Sequence, residues 1–222
     1  AIITKKFNDT LRDYPGDKTV SELFKEAVDK YPDNIALRYY DESYTYTELD
    51  KLSDEYATEL KSHGISEGHN VCFMAYKEVK TIAYIIAILK LGGVYIPLDP
   101  HNPPERIKYI IENSDAVAVL DPKGENKFFS EKILPNKKEN REVAYMMYTS
   151  GTSGEPKACV VLQKGIVRLV KNTNYMQLDE TTRMMSGSSM AFDASTLEIW
   201  GTLLNGGTLA LMDTDDMMTA QK

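Results

Sequence analysis

V-A-Y-M-M-Y-T-S-G-T-S-G-E-P-K, residues 143–157, is the stretch on which the fold turns. An apolar run (Val143, Ala144, Met146, Met147) leads into Tyr148–Lys157, and Val160, Val161 and Leu162 resume the apolar character beyond it. The pattern predicts strand, exposed loop, strand. The loop gathers Thr149, Ser150, Thr152 and Ser153 around Gly151 and Gly154, then adds Pro156 and Lys157. Small residues let backbone N–H groups close on an anion, hydroxyls add donors and the lysine adds charge. A polyphosphate is the expected anion. The spacing departs from the common phosphate loop G-x-x-x-x-G-K-[ST], and Pro156 with a β-rich continuation argues against a helix N-terminus here. An ordinary polar turn uses the same residue types. The length of the string, more than its G-x-x-G core, favours an anion cradle.

Helix-like and strand-like segments alternate on both sides of this loop. Thr19 and Glu22 have capping-box spacing ahead of a helix whose apolar face is Val20, Leu23, Phe24, Ala27 and Val28. Ile35–Tyr40 reads as a strand that turns at Asp41-Glu42-Ser43 into Tyr44–Tyr46. Thr47, with Asp50 three residues on, opens a second helix that Gly64 ends. Val71–Ala75 is a strand, Glu78–Leu91 an apolar helix, and Val94–Ile96 a short strand before Pro97. Pro103-Pro104 begins a helix. Ala116–Leu120 reads as a strand covered on both faces. The lysine-rich stretch from Asp121 to Glu142 reads as a surface loop. Helices are expected at Gly165–Tyr175 and Asp193–Leu204, and strands at Arg183–Ser186 and Thr208–Met212. The order implies an α/β fold, with largely parallel sheets flanked by helices.

The 222 residues and 42% hydrophobic content suit a globular protein of one large or two small domains. A net charge of -7 disfavours nonspecific nucleic-acid binding as the main task. Cys72 and Cys159 sit in apolar runs, read as buried free thiols, so a reducing cytosol is the default compartment. The N-terminus is too polar for a signal peptide, and the apolar stretch Ile82–Leu98 is broken by Lys90, two glycines and Pro97, unlike a membrane span. Three scattered histidines and no Cys/His cluster leave no structural zinc site.

Other segments join the loop in a fixed order. F-N-D-T-L-R-D-Y-P (7–15), T-V-S-E-L-F-K-E-A-V (19–28) and Y-P-D-N-I-A-L (31–37) open the chain. Y-T-Y-T-E-L-D (44–50) and L-K-L-G-G-V-Y-I-P-L-D-P (89–100) precede the loop. F-D-A-S (192–195) and L-E-I-W-G-T-L-L-N-G-G-T-L (197–209) follow it. Together they resemble the start and first four core motifs of the adenylation domain of a nonribosomal peptide synthetase. That domain belongs to the adenylate-forming, AMP-binding superfamily, which also holds acyl-CoA synthetases and luciferases.

The resemblance implies that residues 1–222 are the N-terminal portion of the large domain of that fold. The rest of the large domain and the small C-terminal domain are then absent. The implied reaction joins an amino-acid carboxylate to ATP, with Mg2+, and passes the acyl group to the phosphopantetheine thiol of a carrier protein beside neighbouring synthetase domains. Thr149, Ser150, Gly151, Thr152, Ser153, Gly154 and Lys157 are the implied ATP and pyrophosphate contacts. Asp193 is the implied partner of the substrate ammonium, with Ala194 and Leu197 lining the side-chain pocket. By position alone Asp193 is as well suited to capping a helix. No catalytic residue and no protein metal ligand is assigned. The later motifs, which carry adenine stacking, a magnesium-binding acid, the ribose-binding aspartate and the catalytic lysine, have no counterpart here, so the chain alone is expected to be inactive. Two positions depart from the family pattern: Ala158 stands where glycine is usual and Gln163 where histidine is usual. Tyr145, Tyr148 and Trp200 fit core packing better than ligand stacking. An acyl- or aryl-CoA ligase and a non-catalytic folded fragment are the alternative readings.

Overall fold

The computed structural model describes residues 12–129, 131, 142–150 and 156–212. Their strands form two sheets. In the first, β1 (Ile35–Tyr39), β10 (Thr208–Leu211) and β9 (Arg183–Met185) run parallel, and β2 (Glu42–Thr45) adds an antiparallel edge. In the second, β5 (Ala118–Leu120), β3 (Asn70–Met74), β4 (Val94–Leu98) and β7 (Val143–Ser150) are parallel. Two antiparallel edge strands, β6 (Lys127–Phe128) and β8 (Pro156–Leu162), complete its order β6-β5-β3-β4-β7-β8. The largely parallel α/β architecture expected from the alternation is therefore present.

The parallel strands of the six-stranded sheet are covered on both faces, and the alternation along them shows how. Val71, Phe73, Tyr95, Ala118, Leu120, Tyr145 and Met147 enter a core shared with the four-stranded sheet. Their neighbours Cys72, Ile96, Leu98, Val119 and Tyr148 form a second cluster on the other face, where α4 (Pro104–Asn113) supplies Ile107, Ile110 and Ile111. Successive side chains of a strand point to opposite faces, so a strand buried twice reads as a continuous apolar run.

The shared core is filled by helices. α1 (Val20–Lys30) begins with the expected capping box, in which the Thr19 side chain accepts from Glu22 N–H while Glu22 accepts from Thr19 N–H; its expected apolar face is buried. α2 (Tyr46–Ser62) starts two residues earlier than the sequence suggested. Thr45 and Glu48 form its capping box, and Tyr46 is buried inside the first turn. The Tyr46 hydroxyl donates to the carbonyls of Thr202 and Gly207, which pulls the helix start inward. α3 (Val79–Lys90) packs against α2, and Lys90 reaches Asp50 and Asp54 at 2.6 Å each. α5 (Gln163–Val170) also starts two residues early and stops well before Tyr175. α6 (Ala194–Leu203) packs against α5, β9 and β10.

Three further differences have local causes. The β1–β2 turn is the pair Tyr40-Asp41, with Tyr40 at φ 51, because Tyr39 and Glu42 already pair. β4 continues through Pro97, which pairs in register with Phe73, so the proline does not end the strand. The 121–142 stretch is not loop throughout, since Lys127–Phe128 adds an edge strand to β5. Among the described residues, no helix is long and apolar enough to cross a membrane.

Candidate functional site

A cavity of about 890 Å³ opens where the C-terminal ends of β4 and β7 approach the start of α6. Crevices at the C-terminal ends of parallel strands are the usual ligand sites of such sheets. The β7–β8 hairpin forms one wall. Tyr145 pairs with Val161, Met147 with Cys159 and Thr149 with Lys157. Directly opposed residues share a face, so these six side chains alternate onto one side of the hairpin. Five of them line the cavity: Tyr145, Met147, Thr149, Cys159 and Val161. Lys157 emerges beside Thr149 on the same face, exposed, at the last pairs before the turn. Ser150 ends β7 opposite Pro156, while Gly151, Thr152, Ser153 and Gly154 lie outside the described residues.

The opposite wall is the start of α6. Asp193, Ala194 and Leu197 all line the cavity. Asp193 occupies the N-cap position but has helical angles, φ -60 and ψ -29, and its side chain makes no capping hydrogen bond. An N-cap side chain reaches back to the helix from an extended backbone, a geometry Asp193 does not have. Its carboxylate is exposed and makes no hydrogen bond or ion pair among the described residues. The capping alternative therefore fails, and the carboxylate stands free at the cavity.

Tyr145 of the lining is backed by the buried Tyr95 and Trp200. The Tyr145 and Tyr95 rings pack tilted at 31° with centroids 5.1 Å apart, the Tyr145 hydroxyl meets Thr196 Oγ1 at 2.8 Å, and Trp200 Nε1–H donates to the Tyr95 hydroxyl at 3.2 Å. Burial raises the Tyr145 hydroxyl above its ordinary range, and the nearby Asp193 charge adds to the effect despite the opposing Thr196 bond. Tyr148, tied to Asn113 at 2.9 Å, is pushed by burial up to about 12. The three aromatic side chains flagged in the sequence are indeed buried, although Tyr145 and Tyr148 also face the cavity.

Four polar residues of this region escaped the sequence reading. Asp99, just beyond β4, accepts from the Ser189 hydroxyl and from His101 N–H, each at 2.9 Å. Burial pushes its carboxyl up, but these bonds outweigh it and hold the group below the usual carboxylate range. Arg106 on α4 brings the one cationic side chain among the described lining residues; its Nη2 is 3.5 Å from the Tyr148 carbonyl and its enclosed Nε has no acceptor. Glu198 grips Ser188 through both its N–H and its hydroxyl. The available signal was positional: Asp99 directly follows a parallel strand that enters a Pro-Leu-Asp-Pro turn.

Cys159 corrects the expectation of two buried thiols. Cys72 is buried, whereas Cys159 is exposed, because it lies on edge strand β8 and faces the open cavity. The two departures from the family pattern also find places. Ala158 pairs with Tyr148 and so alternates away from the face that carries Thr149 and Lys157. Gln163 is buried and accepts from Val20 N–H at 2.9 Å, fastening α5 to α1 away from the cavity.

Comparison with known proteins follows the same lines. A family model described as AMP-binding enzyme matches residues 24–222. Tyrocidine synthase 3 of Brevibacillus parabrevis is 34% identical over 238 residues, covering 100% of this chain and 4% of that protein. A solved NRPS protein containing adenylation and PCP domains, holo-PA1221 bound to a vinylsulfonamide inhibitor, superposes with a TM-score of 0.77 at 27% identity over 88% of this chain and 36% of that one. The NpsA N-terminal subdomain of Klebsiella oxytoca, in complex with 3-hydroxybenzoyl-AMSN, has the same fold with a TM-score of 0.79 at 23% identity, over 92% of this chain and 57% of that one. The chain spans only a few per cent of the length of the curated relatives it matches.

Proposed function

This chain belongs to the AMP-binding enzyme family, and we propose that it is the N-terminal portion of an adenylation domain that activates an amino acid for a nonribosomal peptide synthetase. The observation that carries this reading is the free Asp193 carboxylate facing, across one cavity, the hairpin that ends in Thr149 and Lys157. A carboxylate without a protein partner suits an ammonium group, and a hairpin turn rich in hydroxyls and glycine suits phosphate. The substrate carboxylate oxygen attacks the α-phosphorus of ATP, the bond to the bridging oxygen breaks, and pyrophosphate leaves with the electron pair. Negative charge then builds on the leaving group. Donors held in place before the reaction lower that barrier without reorganising. Thr149, Ser150, Gly151, Thr152, Ser153 and Gly154 would hold the β- and γ-phosphates, with Lys157 supplying charge.

Among the described residues no group of three or more His, Cys, Asp or Glu side chains could hold a metal ion. Magnesium would neutralise charge on the nucleotide phosphates, together with the acid that the later motifs of the family carry. The acyl group would pass to a phosphopantetheine thiol of a carrier protein, and neighbouring synthetase domains and a cytoplasmic setting complete the proposal. The remaining large domain and the small C-terminal domain would supply the catalytic residues.

Amino-acid-dependent ATP–pyrophosphate exchange tests the reading. The complete adenylation domain is expected to exchange with one member of an amino-acid panel, and residues 1–222 alone are not. An acyl- or aryl-CoA ligase has no use for Asp193; CoA-ester formation from acids without an amino group, with no exchange on any amino acid, overturns the proposal. Within the complete domain, Lys157→Ala is expected to reduce exchange roughly tenfold to a hundredfold, the worth of a charge-assisted hydrogen bond, through the Michaelis constant for ATP. Unchanged exchange excludes the lysine from phosphate binding.

A further inference from the structure

The free carboxylate of Asp193 raises the question of what holds it in place, because its own side chain makes no contact that would do so. Its position is set by the main chain of residues 188–196. Much of that segment is braced from within: Phe192 N–H donates to the Ser189 carbonyl at 3.0 Å, Ser195 Oγ donates to the Phe192 carbonyl at 2.7 Å, and Thr196 N–H donates to the Asp193 carbonyl at 2.9 Å. Glu198, one turn into α6, holds Ser188. These bonds make the segment and the helix start one body, which is fixed on its helix side by the Tyr145 hydroxyl at Thr196 Oγ1, 2.8 Å, and at its entrance by Lys77 Nζ on the Gly187 carbonyl, 3.2 Å, leaving the residues directly ahead of Asp193 to be held separately.

Among the described residues, one hydrogen bond reaches residues 188–193 from outside 188–198, and it runs from Ser189 Oγ to Asp99 Oδ2 at 2.9 Å. A carboxylate only accepts, so the Ser189 proton points to Asp99 and the hydroxyl oxygen is left to accept from Ala191 N–H, at 3.3 Å. Asp99 is itself fixed by His101 N–H on its other oxygen. It stands where β4 of the six-stranded sheet ends, while residues 188–193 follow β9 of the four-stranded sheet. The bond thus joins the two sheets at the cavity, four residues ahead of Asp193.

We propose that Asp99 and Ser189 form a clasp that sets the placement of Asp193, making both of them positioning residues for the ammonium group of the amino-acid substrate. This rests on the amino-acid-activating function proposed above. The clasp acts on one substrate only, since the phosphate-side hairpin is held by its own β-ladder.

The test is exchange kinetics of the complete adenylation domain with its amino acid, for the unsubstituted protein, Ser189→Ala, Ser189→Thr and Asp99→Asn. Ser189 is exposed, so the loss of its hydroxyl leaves no buried gap. Ser189→Ala is expected to raise the amino-acid Michaelis constant roughly tenfold, the worth of one hydrogen bond to a charged group. The Michaelis constant for ATP and the melting temperature stay as they were. Ser189→Thr, which keeps the hydroxyl, restores the amino-acid constant, and Asp99→Asn weakens it in the same direction as Ser189→Ala. An unchanged amino-acid constant in Ser189→Ala overturns the clasp alone, as does an equal rise in both constants or a loss of stability that threonine does not repair. Absence of exchange in the unsubstituted protein instead overturns the proposed function, and the clasp with it.

Discussion

Asp193→Ala in the complete adenylation domain is expected to lower amino-acid-dependent exchange on the order of a hundredfold, while ATP binding and thermal stability hold. A hydrogen bond between charged partners contributes about 1.5–3 kcal/mol, and the substrate ammonium, once enclosed, also keeps the cost of an uncompensated charge. The usual objection to such a substitution is that an aspartate ahead of a helix caps it, so that alanine costs stability. Asp193 makes no capping bond, and the melting temperature is the measurement that separates the two roles. Asp193→Asn keeps the shape and removes the charge, and is expected to fall nearly as far as alanine. Exchange within a fewfold of the unsubstituted protein would remove Asp193 from substrate recognition.

The largest effect on stability is expected from Trp200→Ala. The side chain is 1% exposed, and its Nε1–H is the partner of the buried Tyr95 hydroxyl. Truncating a buried tryptophan costs about 3–5 kcal/mol in lost burial and residual cavity. The unpaired Tyr95 hydroxyl, whose burial already disfavours its ionised form, adds to the penalty. Trp200 is the sole tryptophan, so the loss is best followed by far-ultraviolet circular dichroism in denaturant. A midpoint unchanged from the parent would mean that the α6–β4 contact contributes little. Trp200→Phe retains most of the apolar volume and is expected to recover more than half of the loss.

Periodicity made much of this fold legible. The apolar face of α1 and its Thr19–Glu22 capping box were readable because both depend on residues within one turn. The starts of α2 and α5 were not, because tertiary partners decide them. Thr45 and Glu48 have the same spacing as Thr47 and Asp50, and the choice falls to Tyr46, whose hydroxyl finds two carbonyls more than 150 residues away. Gln163 is drawn into α5 with its amide oxygen on Val20 N–H. The candidate site divides in the same way. Asp193, Ala194, Leu197 and Thr149 were recognisable from local strings, and the fold brings them to one cavity. Asp99, Arg106 and Ser189 acquire meaning only from contacts between distant segments, and Glu198 from a loop folded back on its own helix. Cys159 was misplaced because an apolar string on an edge strand looks the same as one in the interior.

The pairing of β1 with β10 has a consequence for the order in which the molecule is made. Leu37 lies beside Leu209, so β1 receives its parallel neighbour only after roughly 170 further residues have left the ribosome. At about 5–20 residues per second that interval is roughly 10–30 s. Until β10 emerges the β1–β2 ribbon carries an unmatched row of backbone donors and acceptors, whereas the six-stranded sheet, whose last strand ends at Leu162, has its partners earlier. The six-stranded half can therefore consolidate during synthesis, and the four-stranded half is sealed late, by the same stretch of chain that delivers Asp193 to the cavity.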